Sequence, residues 1–383
     1  MAWDHQFIDP TARVKPCCRF AEKFRPKDHN LNDKTLSEIF YGDWMEEIRR
    51  KMLAGEQVDG CVRCYQEEES GKKSLRERYL DNEALPIDQL VDIENPKIGW
   101  IELAISNDCN LACRMCDSRY SWKWFNEEKL IYGKSFNEVE KSKSDITNIY
   151  PFINDLVHVK FTGGEPLMTK DQWVLVDKML AERDCSEIFL NYSTNCTIMP
   201  KDSWIEKWSK FKKVEFALSF DSANPSESEY IRWPAKYETT EAVTKRFLEL
   251  KKSHGFDVLL RSTISILNVW NMPESLEWWW ENDHGFKVMN PTHLTYPEKL
   301  CVTSLPEHIK KRVTEKFNNY QKTCTNPKIN KNLDYIKNFM NSKDDSYLLP
   351  NLKRYIEITD KHRGQNFFES YPQFSDIFVT IKD

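Results

Sequence analysis

The stretch from residue 105 to residue 116, ISNDCNLACRMC, decides how this chain is read. Cys109, Cys113 and Cys116 stand in a C-x-x-x-C-x-x-C spacing directly after WIELAIS, an apolar run with the residue types of a strand. Three thiolates on a cubane iron–sulfur cluster leave the fourth iron without a protein ligand. An open metal position signals chemistry rather than scaffolding, by the logic that separates catalytic from structural zinc. The competing readings, a zinc knuckle or an ordinary ferredoxin loop, want a fourth Cys or His close by. The segment from Asp117 to Phe125 holds neither.

From about Lys97 onward the pattern is strand, loop, helix. LVHVKFT leads into Gly163-Gly164-Glu165, SEIFLNYST into Asn195, KVEFALSF into Asp221 and DVLLRSTISI into Asn268, with KVMNPTHLTY as the last strand region. Helical segments such as DQWVLVDKMLAER and TEAVTKRFLELKKSH lie between them. Alternating strands and helices predict an α/β fold built on parallel βα units, about six of them, hence a partial (β/α)6 TIM-like barrel with its function at the carboxyl ends of the strands. Residues 1–92 read as a small N-terminal domain carrying two cysteine pairs, residues 93–300 as the barrel and residues 301–383 as a mostly helical extension. Within the first of these, FIDPTARVKPCC reads as strand–turn–strand. TLSEIFYGDWMEEIRRKMLAG reads as helix that Gly42 and Asp43 divide in two, with Asp43 capping the second.

Four motifs follow the cysteine loop in order: FTGGEP at 161–166, STN at 193–195, FALSFDS at 216–222 and YIRW at 230–233. With that loop they make the chain resemble the radical S-adenosylmethionine (radical SAM) enzymes, from the N-terminus to about residue 300. The resemblance implies a [4Fe-4S] cluster on Cys109, Cys113 and Cys116, with S-adenosylmethionine chelating the open iron through its amino and carboxylate groups. One electron then cleaves a carbon–sulfur bond to give a 5′-deoxyadenosyl radical that abstracts hydrogen from a substrate. It also implies that the turn at Gly163 and Gly164 holds the cofactor's amino group, with Glu165 supplying negative charge. Thr194 and Asn195 would lie near the adenosine, and Arg232 would reach the carboxylate. Ser219 and Asp221, two apart on one strand, share a face and are candidates for the ribose hydroxyls; Asp221 capping the next helix is the alternative. Arg261 and Asn268 are weaker candidates, and no catalytic residue stands out. Two departures are visible: Met115 where the family has an aromatic residue, and Cys196 where it has glycine after the Asn. Cys196 reads as a small buried residue.

The N-terminal pairs, Cys17 with Cys18 and Cys61 with Cys64, resemble the twitch/SPASM-like auxiliary cluster domains of the same superfamily, and four thiolates suffice for one cubane. Adjacent cysteines are awkward ligands for one cluster, so one of Cys17 and Cys18 is open to being idle; structural zinc is the alternative for all four. Such domains tend to carry a cysteine ahead of a segment like AWDHQFIDP, where Met1 stands here, which leaves the fourth ligand open.

The chain has 383 residues, 40% hydrophobic and 30% charged, with a net charge of −5, the balance of a soluble globular protein. No basic block supports binding to nucleic acid. No run approaches the roughly 18 apolar residues that span a membrane, and MAWDHQFIDP lacks the features of a signal peptide. Eleven cysteines without an export signal point to metal binding in the cytoplasm rather than disulfides. The expected function is hydrogen abstraction from a peptide or protein, fed by a low-potential donor such as flavodoxin or ferredoxin. The alternatives are a small biosynthetic metabolite as substrate, or a non-catalytic iron–sulfur or zinc protein for electron transfer or assembly.

Overall fold

The computed structural model describes residues 1–69, 73–80, 92–283 and 292–381. The expected boundary at 92/93 adjoins residues outside that set, and the first half of KVMNPTHLTY lies outside it. In chain order the strands are β1 (His5–Ile8), β2 (Val14–Lys15), β3 (Trp100–Ala104), β4 (His158–Thr162), β5 (Phe189–Thr194), β6 (Lys213–Ser219), β7 (Asp257–Arg261), β8 (Thr263–Ile264) and β9 (Thr292–His293). The α-helices are α1 (Leu36–Phe40), α2 (Asp43–Leu53), α3 (Val62–Glu69), α4 (Leu75–Leu80), α5 (Trp124–Tyr132), α6 (Lys170–Glu182), α7 (Asp202–Trp208), α8 (Pro225–Ile231), α9 (Tyr237–His254), α10 (Met272–Asn282), α11 (Glu307–Gln321), α12 (Pro327–Met340), α13 (Leu349–Arg363) and α14 (Phe367–Ser370). None is long and apolar enough, among the described residues, to cross a membrane.

The chain divides into two compact units: Met1–Asp108 with Lys141–Ser193 and Asp202–Glu215, and Cys109–Glu140 with Thr194–Lys201 and Phe216–Asp383. In the first unit the strand order is β2-β1-β3-β4-β5-β6, and β6 continues into the second unit, where β7 lies beside it. The β1–β3, β3–β4 and β4–β5 pairs are parallel. The α/β fold with a mostly parallel sheet is therefore as expected. The separate N-terminal domain is not what the structure has: β1 pairs in register with β3, Phe7 opposite Glu102, so residues 1–15 extend the same sheet. The turn after β1 does return antiparallel as β2. Gly42, not Asp43, occupies the cap position of α2, while Thr35 and Glu38 form a capping box on α1.

Strand alternation gives the first unit's sheet two different faces. Ile101, Leu103, Val159, Phe161, Leu190, Tyr192 and Val214 are buried on one, the side that α6 and α7 cover with Leu175, Val176, Met179 and Trp208, all shut from solvent. The other face carries Trp100, Glu102, His158, Lys160, Phe189, Asn191 and Glu215.

In the second unit, the three consecutive tryptophans of α10 separate as a helix requires: Trp279 is fully buried, while Trp278 and Trp280 are half-buried at the edges, Trp278 stacked on Phe220. Glu227 of α8 sits under this region, accepting hydrogen bonds from Ser222 (2.8 Å) and Asn271 (2.8 Å). Burial pushes its carboxyl up to about 7 from an ordinary 4.5. A raised folded-state value favours the protonated form, so its stabilising contribution is full below the unfolded value and is lost as pH rises to about 7. Stability should fall by about 3 kcal/mol across that window. Urea unfolding followed from pH 4.5 to 8 should show this slope, and Glu227→Gln should flatten it.

Candidate functional site

The cysteine loop begins where β3 ends. Cys116 N–H donates to the Cys113 carbonyl (2.8 Å), which folds the last two thiols into one turn. The three sulfurs sense one another: burial raises the Cys116 thiol far above its ordinary value, and Asp117, Cys113 and Cys109 add to it. Burial also raises Cys113, opposed by Arg232. Such thiols ionise when a metal stabilises the thiolate. The two carboxylates that act on these thiols are already engaged, Asp117 by Arg119 (2.5 Å) and Asp221 by Arg232 (2.7 Å).

The second unit places Thr194, Asn195, Asp221 and Arg232 with this loop. Asn195 Nδ2 lies 3.7 Å from Cys109 Sγ and donates to Asn110 Oδ1 (2.9 Å). Thr194 is buried. Arg232 is buried rather than on the surface; its Nη1 lies 3.7 Å from Cys113 Sγ, and its Nε has no partner among the described residues. The YIRW segment is tied to the loop by backbone, Ala112 N–H to Trp233 O (2.7 Å) and Arg114 N–H to Ile231 O (2.8 Å). Asp221 does not cap α8; Asn224 does. β6 ends at Ser219, and Phe220 N–H donates to the Leu218 (3.0 Å) and Arg261 (3.1 Å) carbonyls. Asp221 instead accepts from Thr263 N–H (2.9 Å), while Ser219 stays half-exposed. Asn268 is occupied by the backbone of Asp221, Thr263 and Ser265, and Arg261 is exposed. Cys196 is fully buried, as expected, and stands at φ +60°, a conformation that explains why glycine suits this position.

The first unit holds the glycine turn. Gly164 N–H donates to the Ser106 carbonyl (2.9 Å) and Glu165 N–H to the Asp108 carbonyl (2.8 Å), so the turn is pinned to the residues leading into Cys109. A Cβ on Gly164 would sit 2.1 Å from the Asp108 oxygen, and Gly163 has φ +109°. Close approach to the protein's own backbone is thus enough to require both glycines. Gly164→Ala should lower stability by about 3 kcal/mol, read as a drop in the urea midpoint. Glu165 is buried, and its Oε1 accepts from Leu167 N–H (3.1 Å), capping a short 3-10 turn.

The N-terminal cysteines part company. Cys17, Cys61 and Cys64 lie within electrostatic reach of one another, and burial raises Cys17 and Cys61. Cys18 is exposed, and desolvation and the Glu102 carboxylate push its thiol up to about 12.

Reasoning from sequence missed the brace behind the loop. Arg114, between the second and third cysteines, stacks on the Tyr230 ring at 3.6 Å and donates to Thr359 (2.5 Å), Asp360 (2.5 Å) and Gln365 (3.0 Å). Tyr355 O–H donates to the Arg114 carbonyl (2.7 Å) and Trp124 Nε1 to the Cys113 carbonyl (3.0 Å). Arg363 pairs with Glu127 at 2.9 Å, both shut from solvent. No local signal marks these partners, which lie far along the chain.

Residues 103–279, just under half of the chain, match the family model of the Radical SAM superfamily. Curated relatives include GTP 3′,8-cyclase of Desulforamulus reducens, 25% identical over 42% of this chain and 46% of that protein. Another is radical SAM cyclopropyl synthase TigE of Paramaledivibacter caminithermalis, 28% identical over 49% of this chain and 40% of that protein. The chain thus spans less than half the length of these relatives. Among solved structures, anSMEcpe with bound AdoMet is 15% identical with a TM-score of 0.43, covering 65% of this chain and 66% of that one. Members of the superfamily are enzymes that use a [4Fe-4S] cluster and S-adenosylmethionine. The residues here fit that pair: three clustered thiols, neighbouring carboxylates held by arginines, and an unpartnered buried Arg232 Nε beside Cys113. No three His, Cys, Asp or Glu among the described residues converge on a single ion; a cubane takes one sulfur per iron and does not require that.

Proposed function

We propose that this chain is a radical SAM enzyme that abstracts hydrogen from a peptide or protein. The observation that carries the reading is the trio Cys109, Cys113 and Cys116, with the carboxylates that act on these thiols held by arginines. When bound, the cluster supplies the electron that cleaves S-adenosylmethionine to a 5′-deoxyadenosyl radical. The chain's own residues bind and orient. The three cysteines would hold three irons, with Asn195 beside Cys109; Thr194 and Asn195 are the candidates for the adenosine, and Gly163 and Gly164 are candidates for the amino group. Arg232, kept charged by Asp221, offers its spare N–H to a carboxylate. Ser219 is the candidate for a ribose hydroxyl. Cys17, Cys61 and Cys64 hold an auxiliary cluster, with its fourth ligand from elsewhere, and a flavodoxin or ferredoxin supplies electrons.

The test is whether anaerobically reduced, cluster-loaded protein forms 5′-deoxyadenosine from S-adenosylmethionine. None, with iron and sulfide fully loaded, favours the carrier alternative and sinks this reading. Iron counts near eight per chain, falling to about four on joint replacement of Cys61 and Cys64, support two clusters; an unchanged count removes the auxiliary one.

A further inference from the structure

The polar face of the first unit's sheet is layered in an informative way. Its lowest layer is aromatic: Trp100, His158 and Phe189 stack at 4.6 and 4.4 Å between ring centroids, with His5 edge-on to Trp100. Its upper layer is small, Ala104 opposite Thr162. Between them the register sets Glu102 opposite Lys160 and Lys160 opposite Asn191, and Asn191 Nδ2 donates to Glu215 Oε1 (2.5 Å). A sheet gains nothing in stability from a charged row where apolar residues pack equally well, as the opposite face demonstrates.

We infer that this row recognises the substrate through a cationic N–H group, the ammonium or guanidinium of a basic side chain. The inference rests on the reading of the chain as a radical SAM enzyme. Lys160 neutralises Glu102 at 2.7 Å, so that end of the row is matched. The other end is not. The bond to Glu215 fixes which way the Asn191 amide faces, leaving its buried Oδ1 without a partner among the described residues. No Lys or Arg pairs with Glu215 among those residues. Lys213, two positions earlier on the same strand, lies over the Phe189 ring at 5.1 Å, in the aromatic layer. A half-buried carboxylate without a paired cation, beside a buried and orphaned acceptor, suits a positively charged donor.

The test is titration calorimetry on the full-length, anaerobically reconstituted protein, with butylguanidinium and butylammonium as probes and butyrate as the control. The cations should bind and butyrate should not. Glu215→Gln should weaken the cations about tenfold; Asn191→Ser serves as the second variant should the first fail to fold. Equal binding of butyrate, or wild-type affinity in the variants, overturns the inference. Wild-type protein that binds the cations yet forms no 5′-deoxyadenosine sinks the proposed reaction and keeps the row. Wild-type protein that forms 5′-deoxyadenosine with no preference for the cations does the reverse.

Discussion

Cys113→Ala should yield protein that makes no 5′-deoxyadenosine above background and loses most of the iron bound at this loop. Cys113 Sγ lies 3.7 Å from Arg232 Nη1, and its thiol feels both Arg232 and Asp221. Removing it leaves two sulfurs for a cluster that needs three, and it takes away the negative partner that a loaded loop would present to Arg232. Metal binding is itself folding free energy where the site is not preformed. Here the loop is tied by the backbone of Ile231 and Trp233 and by Arg114, so the metal-free variant should unfold at nearly the wild-type metal-free midpoint. Iron analysis, anaerobic product assay and urea unfolding of the metal-free chain together check this. Turnover that survives in the variant would mean the ligands are misassigned.

The second large effect is expected at the Arg363–Glu127 pair. Both side chains are shut from solvent, with two bonds of 2.9 Å between them and the guanidinium over the Trp124 ring at 4.7 Å. Arg363→Met leaves a buried carboxylate without its partner, which costs about 3–5 kcal/mol. Replacing Glu127 by Leu as well removes that orphan, so the double variant should recover most of the loss. A double-mutant cycle in urea measures the coupling. Additive effects would show that the two charges do not depend on each other.

The strands and the cysteine loop were legible because their signals are local: apolar runs of the right length, each ending in a motif. The glycines of the turn were legible as glycines, but the reason lay in Asp108, more than fifty residues earlier. β1 read as a strand, yet its partner β3 lies beyond the helices that follow it, and pairing of that kind leaves no mark in either segment. Cys17 and Cys18 looked alike on paper. Successive side chains leaving a strand point different ways, which sends one towards Cys64 and the other to Glu102. The tail read as helical, but nothing in its pattern revealed that α13 holds the residue between two cysteines.

That last feature bears on how the protein is made. A ribosome releases the three cysteines long before it completes the helix whose Thr359 and Asp360 grip Arg114, 245 and 246 positions later. At about 5–20 residues per second the nascent loop stands unfastened for roughly ten seconds or more. Iron and sulfide delivered during synthesis would meet a mobile loop, and delivered after release a clamped one. A chain stopped just before α13 would keep every sulfur and still mature poorly.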